Sequence, residues 1–210
     1  MDNNLYILHK HAIKYIAYAF IAAIIFLILD LELLAVAAFI FMLLSAYVFR
    51  NPEKSIQDYE KNAFVSPVDG EVLNIEYLED DMFAYKVTIA SRYQDVSVLR
   101  VPYSAKVQNL TFVKGTRLAK DAKLFDALNE YASFELVDED NHIVKVVHKL
   151  SRSFAPVSLD INNNDELIKG ERYGTMLSGI TAIYLPKSFK LHLTAGTKVS
   201  ASETLLGYLF

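Results

Sequence analysis

In the stretch GERYGTMLSGITAIYLP, residues 170–186, a serine and a glycine stand side by side as Ser178-Gly179, just ahead of an apolar run over 180–185. Glycines at 170, 174 and 179 permit tight or left-handed backbone. The segment therefore reads as a shaped loop feeding a strand, and its serine is either a nucleophile or a turn residue. Carboxylate chemistry has a candidate in Asp69, at an Asp-Gly step whose ordinary role is to cap a turn with the aspartate side chain. Base or metal chemistry would fall to the five histidines, His9, His11, His142, His148 and His192. The even spacing of His142 and His148 puts them on one strand face, a pattern that suits a metal. Without a third ligand they read as surface residues, and no metal is expected. His192, between Leu191 and Leu193, reads as the polar side of an alternating strand. Cysteine is absent, which excludes disulfides, thiolate zinc sites, iron–sulfur clusters and a cysteine nucleophile.

Hydrophobic residues make up 53% of the chain, and that average hides a split. Residues 15–49 are almost wholly apolar, whereas strands and turns alternate at ordinary charge density from Arg50 onward. A net charge of -4, with no basic stripe carrying interleaved aromatics, does not suggest a nucleic-acid binder, and no nucleic-acid partner is expected. Asp30 and Glu32 break the apolar run into 15–29 and 33–49, each somewhat short of a ~30 Å hydrocarbon core at about 1.5 Å per residue. Backbone in lipid must satisfy its own hydrogen bonds. The expectation is thus a transmembrane or membrane-dipping helical hairpin over 1–54, with the lipid bilayer as partner, followed by a β-rich domain over 55–210. Lys10 and Lys14 precede the first segment, Arg50 and Lys54 follow the second, and the connection carries only acids. The positive-inside rule then places the domain on the cytoplasmic side of a cell (inner) membrane, with these four cations as interfacial anchors.

Within the domain, Pro67 and the Asp69-Gly70 turn lead into an alternating strand over 65–78, and further strands are expected over 85–90, 95–101, 143–149 and 157–161. Pro67-x-x-Gly70-x-Val72-x-Asn74-Ile75 recurs as Pro102-x-x-Ala105-x-Val107-x-Asn109-Leu110, which suggests internal pseudo-symmetry. Leu124, Phe125 and Leu128 give helical spacing over 121–131. The closing run AGTKVSASETLLGYLF is similar to the last hairpin of biotinyl and lipoyl type domains. The fold class expected is mainly β (α+β).

Several spaced motifs, in order, resemble the short, membrane-anchored phosphatidylserine decarboxylase family from about Val48 to the C-terminus. Phe49-Arg50-Asn51-Pro52-Glu53-Lys54 is similar to its FFRxPxR, Ser66-Pro67-Val68-Asp69-Gly70 to its SPADG, and DVSVLRVP, 95–102, to its DVHVNRxP. Asp138-Glu139-Asp140-Asn141 stands where the family has NERN, and Gly170-Glu171-Arg172 with Tyr184-Leu185-Pro186 bracket its self-cleavage segment. The resemblance implies chemistry in which the chain cuts itself at a Gly-Ser bond and the serine becomes a pyruvoyl group, the electron sink for decarboxylation. It also implies an Asp-His-Ser set that activates the serine.

Carried onto this chain, the aspartate is Asp69, the histidine is replaced by Ser97, and the neighbouring asparagine is Leu99. A serine hydroxyl has no pKa near neutrality and cannot act as the same base. Aligned from the left of the segment, Gly179 falls on the family glycine and Ile180 on the serine; aligned from the right, Ser178 and Gly179 take those places. The reading is a family member that is not self-cleaved and is catalytically silent, with no cofactor, a phospholipid headgroup as candidate ligand, and a second copy or an active homologue as candidate partner. The alternative is an active pyruvoyl-dependent decarboxylase of phosphatidylserine or a related aminophospholipid, matured at Ser178. A third reading is a biotinyl or lipoyl carrier with Lys114 as its attachment point.

Overall fold

The computed structural model describes residues 12–54 and 59–210, and the chain divides into two compact units between Pro52 and Glu53. The first unit holds helices α1 (Ala12–Ile28) and α2 (Glu32–Val48). Asp30 ends the first in a left-handed conformation, φ 55°, and the Leu31 N–H donates back to the Phe26 carbonyl at 2.8 Å. Among the described residues no helix is long and apolar enough to cross a membrane. This overturns the expected membrane hairpin. The physical reason is length: each helix has 17 residues, about 25 Å at 1.5 Å per residue, and the turn at Asp30 with Glu32 opening α2 cuts both runs short of a span. Lys14 and Arg50 therefore flank no membrane-crossing helix. Lys14 lies 5.0 Å from the Tyr15 ring centroid, while Arg50 lies 4.3 Å from that of Tyr47 and donates to the Tyr47 carbonyl at 3.1 Å. Lys10, His9 and His11 fall outside the described residues.

The second unit is β-rich. In chain order its described elements are β1 (Ala63–Val65), β2 (Gly70–Tyr77), β3 (Tyr85–Ser91), β4 (Val98–Arg100), β5 (Ala105–Val113), α3 (Phe125–Leu128), β6 (Tyr131–Val137) and β7 (Ile143–Leu150). There follow β8 (Ser158–Leu159), β9 (Glu166–Leu167), β10 (Arg172–Thr175), β11 (Gly179–Leu185), β12 (Phe189–Leu191), β13 (Lys198–Val199) and β14 (Leu205–Leu209). They form an eight-stranded sheet, β13-β2-β3-β11-β7-β6-β5-β9, and two three-stranded sheets, β1-β14-β12 and β4-β10-β8. Strict alternation of buried and half-exposed residues along β6, β7 and β11 places Phe134, Val146 and Ile183 in one core.

Two expectations need correction. The helix over 121–131 shrinks to the four residues of α3, and Tyr131 already belongs to β6. The cause is Asn129, which is buried and whose side chain donates to the carbonyls of Leu118 (2.9 Å) and Leu150 (2.7 Å) while accepting from the Leu118 N–H (3.0 Å). Such side-chain bonds to backbone compete with helix continuation. His148 is no surface residue: it is 0% exposed, with Nε2 2.7 Å from the Tyr173 hydroxyl and Nδ1 2.9 Å from that of Thr181. His142 lies before β7 and bonds to Asp138, and the His192 ring packs edge-on against Tyr208 at 5.4 Å.

The repeat seen in the sequence is built into the backbone. β2 starts at Gly70 and β5 at Ala105, both shift register just past the repeated valine, and Val72 and Val107 are both buried. Each strand start takes a two-residue edge strand, with Gly70 opposite Val199 and Ala105 opposite Leu167. The bonds repeat as well. Val72 N–H to the Thr197 carbonyl (2.9 Å) matches Val107 N–H to that of Asp165 (2.9 Å), and Ser202 N–H to the Ser66 carbonyl (2.9 Å) matches Gly170 N–H to that of Val101 (2.8 Å).

Candidate functional site

The fold brings the three family-equivalent positions into one region. Ser91 of β3 donates its hydroxyl to the Asp69 carbonyl at 2.6 Å and pairs across the sheet with Gly179 of β11. The backbone carbonyl of Ser97, just before β4, accepts from the Met176 N–H at 2.9 Å, two residues ahead of Ser178. Ser178 itself is half-buried, and its carbonyl accepts from the Ser151 N–H at 3.1 Å.

The Asp69 carboxylate is taken up by other groups. It pairs with Lys54 and accepts from the Ala201 N–H at 2.8 Å. Lys54 also donates to the Ser200 hydroxyl at 2.6 Å, which in turn donates to Glu203. Lys54 is thus no interfacial anchor: its side chain is 7% exposed and belongs to the β-rich unit. Arg172 pairs with Glu53 at 2.5 Å, and buried Arg100 donates to the Gly170 carbonyl at 3.2 Å. Burial and then Arg172 lower the Arg100 pKa, while Glu53, Asp69 and Glu203 act against them. By the repeat, Asp69 corresponds to Ser104, whose hydroxyl accepts from the Lys169 N–H at 3.0 Å as Asp69 accepts from Ala201. Capping the returning strand is therefore what both halves require at this position.

Removing Lys54 leaves a part-buried carboxylate without its cation, which is strongly destabilising in such pairs. Lys54→Met is expected to lower unfolding free energy by about 2–4 kcal/mol. Adding Asp69→Asn, which keeps an acceptor for Ala201, should recover much of that loss in a urea-melt double-mutant cycle.

At the position of the family histidine, the Ser97 hydroxyl is buried and has no hydrogen-bond partner. Leu99 is part of the apolar core. At Gly179 a Cβ would lie 2.4 Å from the Lys149 carbonyl oxygen and 2.7 Å from the Met176 sulfur, so the backbones of β11 and β7 approach too closely for any side chain there. Ile180 is half-buried on the strand that follows.

Asp138 accepts from the Tyr103 hydroxyl (2.8 Å), the His142 N–H (2.8 Å) and its ring Nδ1 (2.9 Å). Burial would raise its pKa; the bonds from His142 and Tyr103 overcome this and hold it below the usual carboxylate range. Asp138, Asp140 and His142 each place a ligand atom within 4.8 Å of the others, a grouping able to hold a metal ion, although both Asp138 oxygens already serve as acceptors. A cleft of about 450 Å³ opens beside Ser178 and Gly179, lined also by Arg92, Lys120 and Arg152. Sequence reasoning missed these three cations and missed Lys54 as the partner of Asp69, because the contacts join segments far apart in the chain.

The phosphatidylserine decarboxylase family profile matches residues 41–207. The phosphatidylserine decarboxylase proenzyme of Geotalea uraniireducens is 31% identical over 215 residues, covering 91% of this chain and 94% of that protein. That of Desulfotalea psychrophila is 27% identical over 208 residues, 95% of each chain. The proenzyme of Syntrophotalea carbinolica is 31% identical, covering 91% and 94%. The motif order, the assembly of positions 69, 97 and 178–179 into one region, and these matches together establish that the chain belongs to the phosphatidylserine decarboxylase family.

Proposed function

We propose that this family member is neither self-cleaved nor a decarboxylase, and that it works by binding an anionic headgroup rather than by breaking bonds. The observation that carries the reading is Ser97: the position of the family base holds a buried hydroxyl that touches no hydrogen-bonding group. A general base must lie within hydrogen-bond reach of the proton it removes and have a pKa near the working pH; a serine meets the second condition nowhere near neutrality. The engagement of Asp69 by Lys54 and Ala201 supports the same reading, because the carboxylate already has a structural task.

The family is pyruvoyl-dependent, and the residues of this chain do not fit the making of that group. The close approach at Gly179 favours the register in which the family glycine is Gly179 and the serine is Ile180, which has no nucleophile. Ser178 follows Leu177 in place of a glycine. Intact mass under denaturing conditions tests the proposal. A single chain near 23.8 kDa is expected, with no carbon dioxide released from phosphatidylserine vesicles. A C-terminal fragment beginning at residue 178 with a blocked N-terminus would sink the proposal in favour of the active enzyme.

A further inference from the structure

The cleft beside Ser178 carries more cation than acid. Its wall includes Arg92, Lys120 and Arg152 against the single carboxylate of Asp121. Arg92 is shared with Glu71 at 3.2 Å. Among the described residues neither Lys120 nor Arg152 has an ion-pair partner, and the hydroxyls of Ser151 and Ser178 on the same wall are bonded to nothing. Arg152 is also held in place at some conformational expense. Its φ is 49°, its N–H donates to the Arg117 carbonyl at 3.0 Å, and its carbonyl accepts from the Tyr93 hydroxyl at 2.7 Å. A left-handed non-glycine residue of this kind is strained and persists where its surroundings fix it, often at ligand sites.

We propose that this cleft is an anion site for a tetrahedral phosphate ester, held by the Arg152 guanidinium, the Lys120 ammonium and the hydroxyls of Ser151 and Ser178. Two cations and two hydroxyls offer donors from several directions to the oxygens of a phosphate, whereas a carboxylate presents only two oxygens in one plane. Arginine suits such recognition because its planar fork donates two parallel bonds. Lys120 and Arg152 set against Asp121 leave one positive charge in surplus, which fits a phosphate monoanion. The assignment rests on the uncleaved reading, since Ser178 can donate its hydroxyl only while it remains a serine. A lipid headgroup and a soluble phosphate ester share this chemistry.

The test is titration of the full-length protein with inorganic phosphate, with glycerol 3-phosphate, and with phosphatidylcholine vesicles containing phosphatidic acid, read by calorimetry or NMR shifts. Saturable binding is expected. Arg152→Ala should weaken it at least about tenfold and Ser178→Ala about threefold, with the urea midpoint in phosphate-free buffer unchanged for Arg152→Ala, an exposed residue. Binding of vesicles alone assigns the site to a lipid headgroup, and binding of the soluble ions as well assigns it to free phosphate esters. No saturable binding of any probe, or binding indifferent to Arg152→Ala, overturns the site. Intact mass on the same sample separates the two ideas. A cut chain that still binds phosphate through Arg152 defeats the uncleaved reading and with it the part given to Ser178, whereas an intact chain that binds none defeats the anion site and the headgroup-binding role but leaves the uncleaved reading standing.

Discussion

Gly179→Ser, the substitution that would install a serine in the right-hand register, is expected to destabilise the protein by about 2–4 kcal/mol. A Cβ at this position meets the Lys149 carbonyl oxygen at 2.4 Å, and that atom is backbone. Gly179 is paired on both sides, with Ser91 of β3 and Leu150 of β7, so the strand cannot relax away from one neighbour without disturbing the other. Forcing extra atoms into packed structure costs about 1–3 kcal/mol, and a disturbed ladder bond adds about 1 kcal/mol. Urea denaturation measures the sum. Ile180→Ser, at a half-buried position on the same strand, serves as the comparison and should lose less than about 2 kcal/mol. Equal stability of Gly179→Ser and the parent protein would show that the strands have room and that Gly179 does not fix the register.

The second large effect is a loss of stability in mild acid caused by His148. Burial lowers its pKa from 6.5 to about 3, so the folded protein keeps the ring neutral, with one nitrogen donating and the other accepting between Tyr173 and Thr181. The unfolded chain protonates the same ring near pH 6.5. Between those two values the unfolded state binds one more proton, so stability is complete above pH 6.5 and falls as the pH drops towards 3. The slope approaches about 1.4 kcal/mol per pH unit, or about 2–3 kcal/mol lost between pH 6.5 and 4.5. His148→Asn should have a lower overall stability, because Tyr173 and Thr181 lose a partner in a dry core, but it should lack this slope. The difference in slope between the two proteins isolates His148 from the other histidines and from the carboxylates. If both lose stability in parallel over that range, the buried histidine is not the cause.

What the sequence made legible was local. Strands expected over 85–90, 143–149 and 180–185 appear as β3, β7 and β11 because alternation of apolar and polar residues is written residue by residue. The side to which His148 belongs was also legible in principle: Lys145 and Lys149 mark the outer face of β7, and Val144, Val146, His148 and Leu150 alternate with them. Reading the histidine pair by its spacing alone hid that signal. The helix over 121–131 failed because spacing cannot report what Asn129 bonds to across the fold. At the candidate site the motifs located Asp69, Ser97 and Ser178, yet Lys54 and Ala201 reach Asp69 from the two ends of the β-rich unit, with Ser200 and Glu203 gathered around Lys54. The repeat held part of the answer, since matching Asp69 to Ser104 identifies a capping position.

β11 lies inside the large sheet, hydrogen-bonded to β3 and β7, while β13 pairs with β2 and β14 with β1. Within the β-rich unit, strands after Ser178 are therefore hydrogen-bonded to strands before it. A chain nicked ahead of Ser178 would remain a single particle with an unchanged hydrodynamic radius, and its two pieces would co-purify through any column run under native conditions. In this fold a broken backbone leaves no trace in size or shape, and only after the strands are pulled apart can an intact chain be told from a severed one.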